Sequence, residues 1–215
     1  MERRLIATEL RAAAAGDSRA IAGYAALFNT LSVVLWDFRE EIAPGAFAGT
    51  LANDVRALWN HDVTQVLGRT TNQSLRLRED SIGLAFDLDL PDTQLGRDVY
   101  TLIARGDVTQ MSFAFRMLPE GDEWRIDGAG QYIRRLLRVD LVEISPVTFA
   151  AYPETSVDVR MALWGERVQI PDAVRRAAPG VGVDSMAAAA RARRRAMTEV
   201  ELQLATRCYA GKESR

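Results

Sequence analysis

Between Ser74 and Leu90 apolar and polar residues alternate over a span that only extended backbone accommodates. Leu75 and Leu77 alternate with Arg76 and Arg78, and Leu84, Phe86, Leu88 and Leu90 with Ala85, Asp87 and Asp89. Successive side chains of a strand point to opposite faces, so this period buries one face and wets the other. With Glu79-Asp80-Ser81 as the turn, the stretch reads as a β-hairpin. The same period returns from Val108 to Met117, where Met111, Phe113, Phe115 and Met117 share a face and Gln110, Ser112, Ala114 and Arg116 take the other. Ser112 is expected to point away from the aromatic side. Trp124 to Ile126, the turn Asp127-Gly128-Ala129-Gly130, and Tyr132 to Leu137 predict a further hairpin, followed by a strand from Arg138 to Ile144 that stops at Pro146. Residues 19–28, with the turn-rich NTLS behind them, predict a first strand or two.

Helical signals are fewer. Pro91-Asp92-Thr93 offers an N-cap, Leu95, Val99, Leu102 and Ile103 fall on one helical face, and Gly106 stands where a terminating glycine belongs. Pro44 and Gly45 predict a loop over Phe38 to Phe47 that closes into a short helix near Phe47 to Leu51. The expected class is mainly β with peripheral helices, an α+β arrangement. A chain of 215 residues that is 48% hydrophobic supports one domain with a sizeable core. From about residue 165 alanine, arginine, glycine and proline dominate, and between Arg175 and Arg195 six arginines face one acid, Asp184. The expected division is a domain over residues 1–164 and a tail over 165–215 with a helix at 184–207.

A formal net charge of −2 gives no general attraction to nucleic acid or to an anionic membrane. The single cysteine, Cys208, excludes an internal disulfide framework and fits a reducing compartment. No signal-peptide-like start and no run of about 18 apolar residues is present, so a soluble intracellular protein is expected. Lys212 is the only lysine, so nearly all positive charge is arginine.

His61 is the only histidine. Imidazole acid–base chemistry near neutral pH must therefore use it, and a multi-histidine zinc site is ruled out. Val55 to His61 reads as a strand whose apolar side carries Val55, Ala57, Trp59 and His61. A lone histidine on such a face is more often a satisfied core residue, and a lone strand serine more often inert. The constellation carries more: a serine hydroxyl needs a base to take its proton, and the resulting imidazolium needs an acid to orient it. Glu143 shares its expected face with Val139 and Leu141, where an unpaired charge would cost several kcal/mol, so it needs a partner. Asp140 and Asp62 are alternative acids, although Asp140 shares its expected face with Arg138 and reads as an exposed ion pair. No GxSxG elbow surrounds Ser112, and the order His, Ser, acid differs from that of the α/β-hydrolase, chymotrypsin and subtilisin arrangements.

EEIAPGAF at Glu40 to Phe47, LWNHDVTQVLGR at Leu58 to Arg69, GLAFDLDLPDTQLGRDVYTLIARGDVTQMSFAF at Gly83 to Phe115, and VDLVEISPVTFAAYPET at Val139 to Thr155 together resemble the prohead proteases of tailed bacteriophages. That family is related to the herpesvirus capsid maturation protease, assemblin. The resemblance spans residues 20–160 and implies a herpesvirus-protease-like β-barrel. It implies His61 of NHD as general base, Ser112 of MSFAF as nucleophile, and Glu143 of EISPV as the third member, with Asp140 as the alternative. The herpesvirus relatives use a second histidine in that third place, which this chain lacks. Their oxyanion hole draws on loop arginines; the matching stretch, Pro146 to Pro153, has none, leaving backbone amides.

The activity so implied is that of a serine endopeptidase needing no cofactor and no metal. Its substrates would be the scaffold segment of the major capsid protein or a separate scaffold, cut inside the immature capsid in the host bacterial cytoplasm. Family members often cleave themselves too, and the arginine-rich tail is a place for such processing or for docking to capsid protein. No nucleic-acid or membrane partner is implied, and a homo-oligomer is compatible with the herpesvirus kinship. The rival from another class is a non-catalytic capsid-assembly or scaffolding protein with the same fold.

Overall fold

The computed structural model describes residues 1–7, 10–15, 18–32, 34–35, 37–148 and 168–177. Its strands are β1 (Glu2–Ala7), β2 (Arg11–Ala15), β3 (Ser18–Leu27), β4 (Phe38–Ile42), β5 (Arg56–Trp59), β6 (Asp62–Arg69), β7 (Leu75–Glu79), β8 (Gly83–Asp89), β9 (Gln110–Met117), β10 (Asp122–Ile126), β11 (Tyr132–Leu136) and β12 (Val139–Val147). Two helices, α1 (Gln94–Ala104) and α2 (Asp172–Arg176), complete the described elements. The strands form three sheets, in the orders β1-β9-β12-β5-β6, β10-β11-β4 and β2-β3-β8-β7. The mainly β class holds, and no closed barrel is found among the described residues.

The alternating stretch of the sequence is the β7–β8 hairpin, with Leu75 opposite Leu88 and Leu77 opposite Phe86. These side chains join Ile21, Phe47, Val99, Ile103, Met111, Phe113 and Ile144 in one core to which all three sheets and α1 contribute. Phe113 is its aromatic centre, meeting Phe47 edge-on at 5.6 Å and stacking on Phe115 at 5.6 Å. Helix α1 starts where the cap signal placed it: the Thr93 hydroxyl accepts the Gly96 N–H at 3.2 Å. It ends at Gly106, whose φ of +82° is the left-handed conformation that suits glycine.

Four expectations change. Phe38 to Ile42 is strand rather than loop, pairing in parallel with β11. Phe47 to Leu51 does not form a helix; residues 44–52 are successive turns closed by short-range bonds such as Ala48 N–H to Gly45 O at 3.2 Å. Strands β1 and β2 arise where no strand was expected; the all-alanine run of β2 carries no alternation to reveal it. Strand β12 runs through Pro146 to Val147. Its pairing with β5 has ended by Ile144, so the missing proline N–H is not needed on that side, and Pro146 O instead accepts the Asn60 N–H at 3.1 Å.

The proposed tail, its helix at 184–207 and Cys208 lie outside the described residues, apart from 168–177, where Ile170 packs with Leu35, Phe38 and Tyr132. Among the described residues no helix is long and apolar enough to cross a membrane.

Candidate active site

His61 lies in a turn and not, as expected, at the end of a strand. Trp59 pairs with Asp62 across the β5–β6 hairpin, leaving Asn60 and His61 as a two-residue loop with φ of 51° and 62°. A two-residue hairpin loop with both φ values positive matches the right-handed twist of its strands, and Asn and His tolerate that region better than most residues. The turn is tied to the end of β12: Asn60 Oδ1 accepts the Thr148 N–H at 3.0 Å, and the His61 N–H donates to Ser145 Oγ at 3.3 Å.

Glu143 reaches His61 through an irregularity in β12. Leu141 is opposite Phe115 on β9 while Glu143 is opposite Ala114, so Val142 is an extra residue. Such a bulge re-aims the side chains that follow it. Without it Glu143 would continue the aromatic-core face of Val139 and Leu141, as strict alternation predicts. With it, Ile144 takes the core position opposite Phe113, while Glu143 and Ser145 turn to the face of Ala114 and Ser112. The partner that Glu143 needs is there: His61 Nδ1–H donates to Glu143 Oε1 at 2.5 Å, and both side chains are buried.

The alternative acids are engaged elsewhere. Asp140 accepts from Asn53 at 3.1 Å and pairs across the strands with Arg116 at 3.1 Å, not with Arg138, which bonds the Pro119 carbonyl. Asp62 accepts from its own turn, from Thr64 and from Gln65, and the Thr64 hydroxyl and amide hold its carboxyl below the usual aspartate range.

Ser112 sits on β9 with no exposed surface. Its face was expected to lie away from the aromatic side, and it does; that face is buried too. Ser112 is the register partner of Ser145, whose hydroxyl bonds Glu143 and the His61 N–H, so Ser112 lies on the strand next to the one that carries the His61–Glu143 pair. The Ser112 hydroxyl donates to the Arg4 carbonyl of β1 at 2.8 Å. His61 Nε2 is the one buried side-chain nitrogen or oxygen without a hydrogen-bond partner among the described residues. A ring with Nδ1 fixed on a carboxylate and Nε2 unengaged is set up to exchange a proton at Nε2.

A family model for caudovirus prohead serine proteases matches residues 7–166. The chain belongs to that family. Comparison with curated proteins and with solved structures returned no match. Membership brings serine-protease chemistry and the phage prohead as its setting. In this family member the matched segment carries His61, Ser112 and Glu143 but starts after most of β1, the strand whose Arg4 carbonyl engages Ser112.

On the other face of β9, against Phe115, lies a buried ionic group. The Arg4 guanidinium bonds Glu40 and Glu2 and stacks 5.2 Å from the Phe115 ring centre; Arg134 bonds Glu2 at 2.6 Å and Asp122 at 2.6 Å. Burial opposes the charge of Arg134, yet Glu40, Glu2 and Asp122 raise its pKa further. This group fastens β1 to β4, β10 and β11, and so fixes the backbone that touches Ser112. Sequence reasoning missed Arg4, which no pattern marks. It also missed Ser145, for which a signal existed: in EIS the acid and the serine are two residues apart, the spacing that puts both on one face of a strand. Among the described residues no cluster of three or more His, Cys, Asp or Glu side chains could hold a metal ion.

Proposed function

We propose that the protein is a serine endopeptidase in which Ser112 is the nucleophile, His61 the general base and Glu143 the acid that orients it. The observation that carries this reading is the buried pairing of the sole imidazole with Glu143 through Nδ1, with Nε2 unengaged, beside the strand that holds Ser112. For attack, the Ser112 hydroxyl exchanges its bond from the Arg4 carbonyl to Nε2. Its oxygen then adds to the substrate carbonyl carbon as the proton passes to His61. The tetrahedral intermediate expels the amine, which takes that proton, and leaves an acyl-Ser112 ester; water, deprotonated by His61, releases the acid and regenerates the serine. Glu143 stabilises the imidazolium that exists between these transfers. The herpesvirus-type barrel remains part of the proposal, as does an oxyanion hole of backbone amides from the stretch after Pro146, of which residues 149–153 lie outside the described ones.

By family, the substrates are the scaffold segment of the major capsid protein or a separate scaffold, cut inside the immature capsid, with self-cleavage as a further reaction. The non-catalytic assembly role is the rival, and the complete burial of Ser112 is the observation that favours it. Co-expression with the major capsid protein decides between them. The proposal expects shortened capsid protein or scaffold with the wild type and full-length product with Ser112→Ala. Equal shortening in both rejects Ser112 as nucleophile, and shortening in neither supports the assembly role.

A further inference from the structure

The geometry points to Ser145 as a positioning residue that holds both Glu143 and His61 in their working arrangement; this rests on the proposed roles of those two. Ser145 has no exposed surface, and its hydroxyl has two partners. It donates to Glu143 Oε2 at 2.5 Å and accepts the backbone N–H of His61 at 3.3 Å.

Each contact does distinct work. A carboxylate bonded through one oxygen can still turn about its terminal torsion, whereas one bonded through both has its plane fixed. Oε1 is taken by His61 Nδ1–H and Oε2 by Ser145, so the direction in which Glu143 holds the ring is set by Ser145. A hydrogen bond to an ionised acceptor is also stronger than one between neutral groups. The second contact acts on the backbone. His61 holds a φ of 62°, which costs energy for a residue with a Cβ, and the Ser145 hydroxyl is one of the groups that keep its N–H in place. Ser145 also stands opposite Ser112 in the β12–β9 register, so one residue links the segments bearing all three proposed catalytic groups. The Val142 bulge is what brings it there, since it turns Glu143 and Ser145 to the Ser112 face together.

Because His61 is the sole histidine, its imidazole nitrogens give unambiguous signals in a ¹⁵N-labelled sample. The experiment records the His61 Hδ1 and ring ¹⁵N resonances in the full chain, in Ser145→Ala, in Ser145→Cys, which keeps the volume should alanine fail to fold, and in Glu143→Gln. The expected result is a strongly downfield Hδ1 in the wild type that moves upfield or broadens by exchange in both Ser145 variants. The rate of capsid-protein shortening should fall 10- to 100-fold in Ser145→Ala, and less than threefold when the same change is made on Glu143→Gln, because the effect acts through the carboxylate. An Hδ1 unmoved in folded Ser145 variants, or equal rate losses on both backgrounds, overturns the inference. If Glu143→Gln itself leaves Hδ1 unchanged, the His61–Glu143 pairing beneath it fails instead, and the inference fails with it.

Discussion

Replacing Glu143 by glutamine removes one charge and little else. The amide is nearly the same shape, and its oxygen can still accept from His61 Nδ1 while its NH₂ faces Ser145. What disappears, in the proposed mechanism, is the negative charge beside the imidazolium that forms as Ser112 gives up its proton. Nδ1 and Oε1 are 2.5 Å apart, which sets the centres of the two charges about 4 Å apart. Unit charges at that separation interact by about 4 kcal/mol at an effective dielectric constant of about 20. At about 1.4 kcal/mol per decade, Glu143→Gln should slow the chemical step about 10³-fold. The assay is the initial rate at which purified enzyme shortens the major capsid protein, read on gels, with thermal unfolding of both forms to show that the variant is folded. A loss of less than tenfold in a folded variant would refute the argument, because the buried acid would then not be stabilising the base.

Other expectations concern the frame around the site. Glu40 bonds two buried guanidiniums, so Glu40→Leu leaves Arg4 and Arg134 short of a counter-charge and should lower stability by about 3–5 kcal/mol in urea unfolding; a loss under about 1 kcal/mol would contradict it. Burial of Glu2 opposes its ionisation, but Arg4 and Arg134 outweigh this and hold its carboxyl below the ordinary glutamate value. Its stabilisation is therefore complete above that value and lost as pH falls through the lower folded one, and Glu2→Gln should flatten this acid limb of the stability profile. Gly96 lies within α1, where alanine would ordinarily be favoured, but a Cβ there would fall 2.0 Å from the Pro91 carbonyl oxygen. Gly96→Ala should thus lower the melting temperature rather than raise it.

Regular periodicity made much of the fold legible. The β7–β8 hairpin, α1 with its Thr93 cap and Gly106 stop, β9 and the β10–β11 hairpin all follow from residue pattern and turn chemistry, because each obeys one local rule throughout. Illegible parts are those where tertiary contacts override the local rule. Phe38 to Ile42 becomes strand because β11 offers it a parallel partner. His61 leaves the strand period because Asn60 and His61 together make the hairpin loop. Glu143 is legible as an acid needing a partner, and His61 is that partner, although strict alternation assigns it to the other face. The one-residue bulge at Val142 reverses that face and leaves no trace in composition. The bond from Ser112 to the Arg4 carbonyl depends on β1 pairing with β9, which no single segment announces.

Ser112 as nucleophile is tested most directly by labelling the protein with a fluorophosphonate while it processes capsid protein and mapping the adduct by tryptic mass spectrometry. Ser112 falls in the peptide between Arg105 and Arg116, and Ser145 in the one that follows Arg138, so the two serines are read separately. An adduct on Ser112 in the wild type and none in His61→Ala is the expected result. An adduct on Ser145, or one on Ser112 that forms equally well without His61, would contradict it.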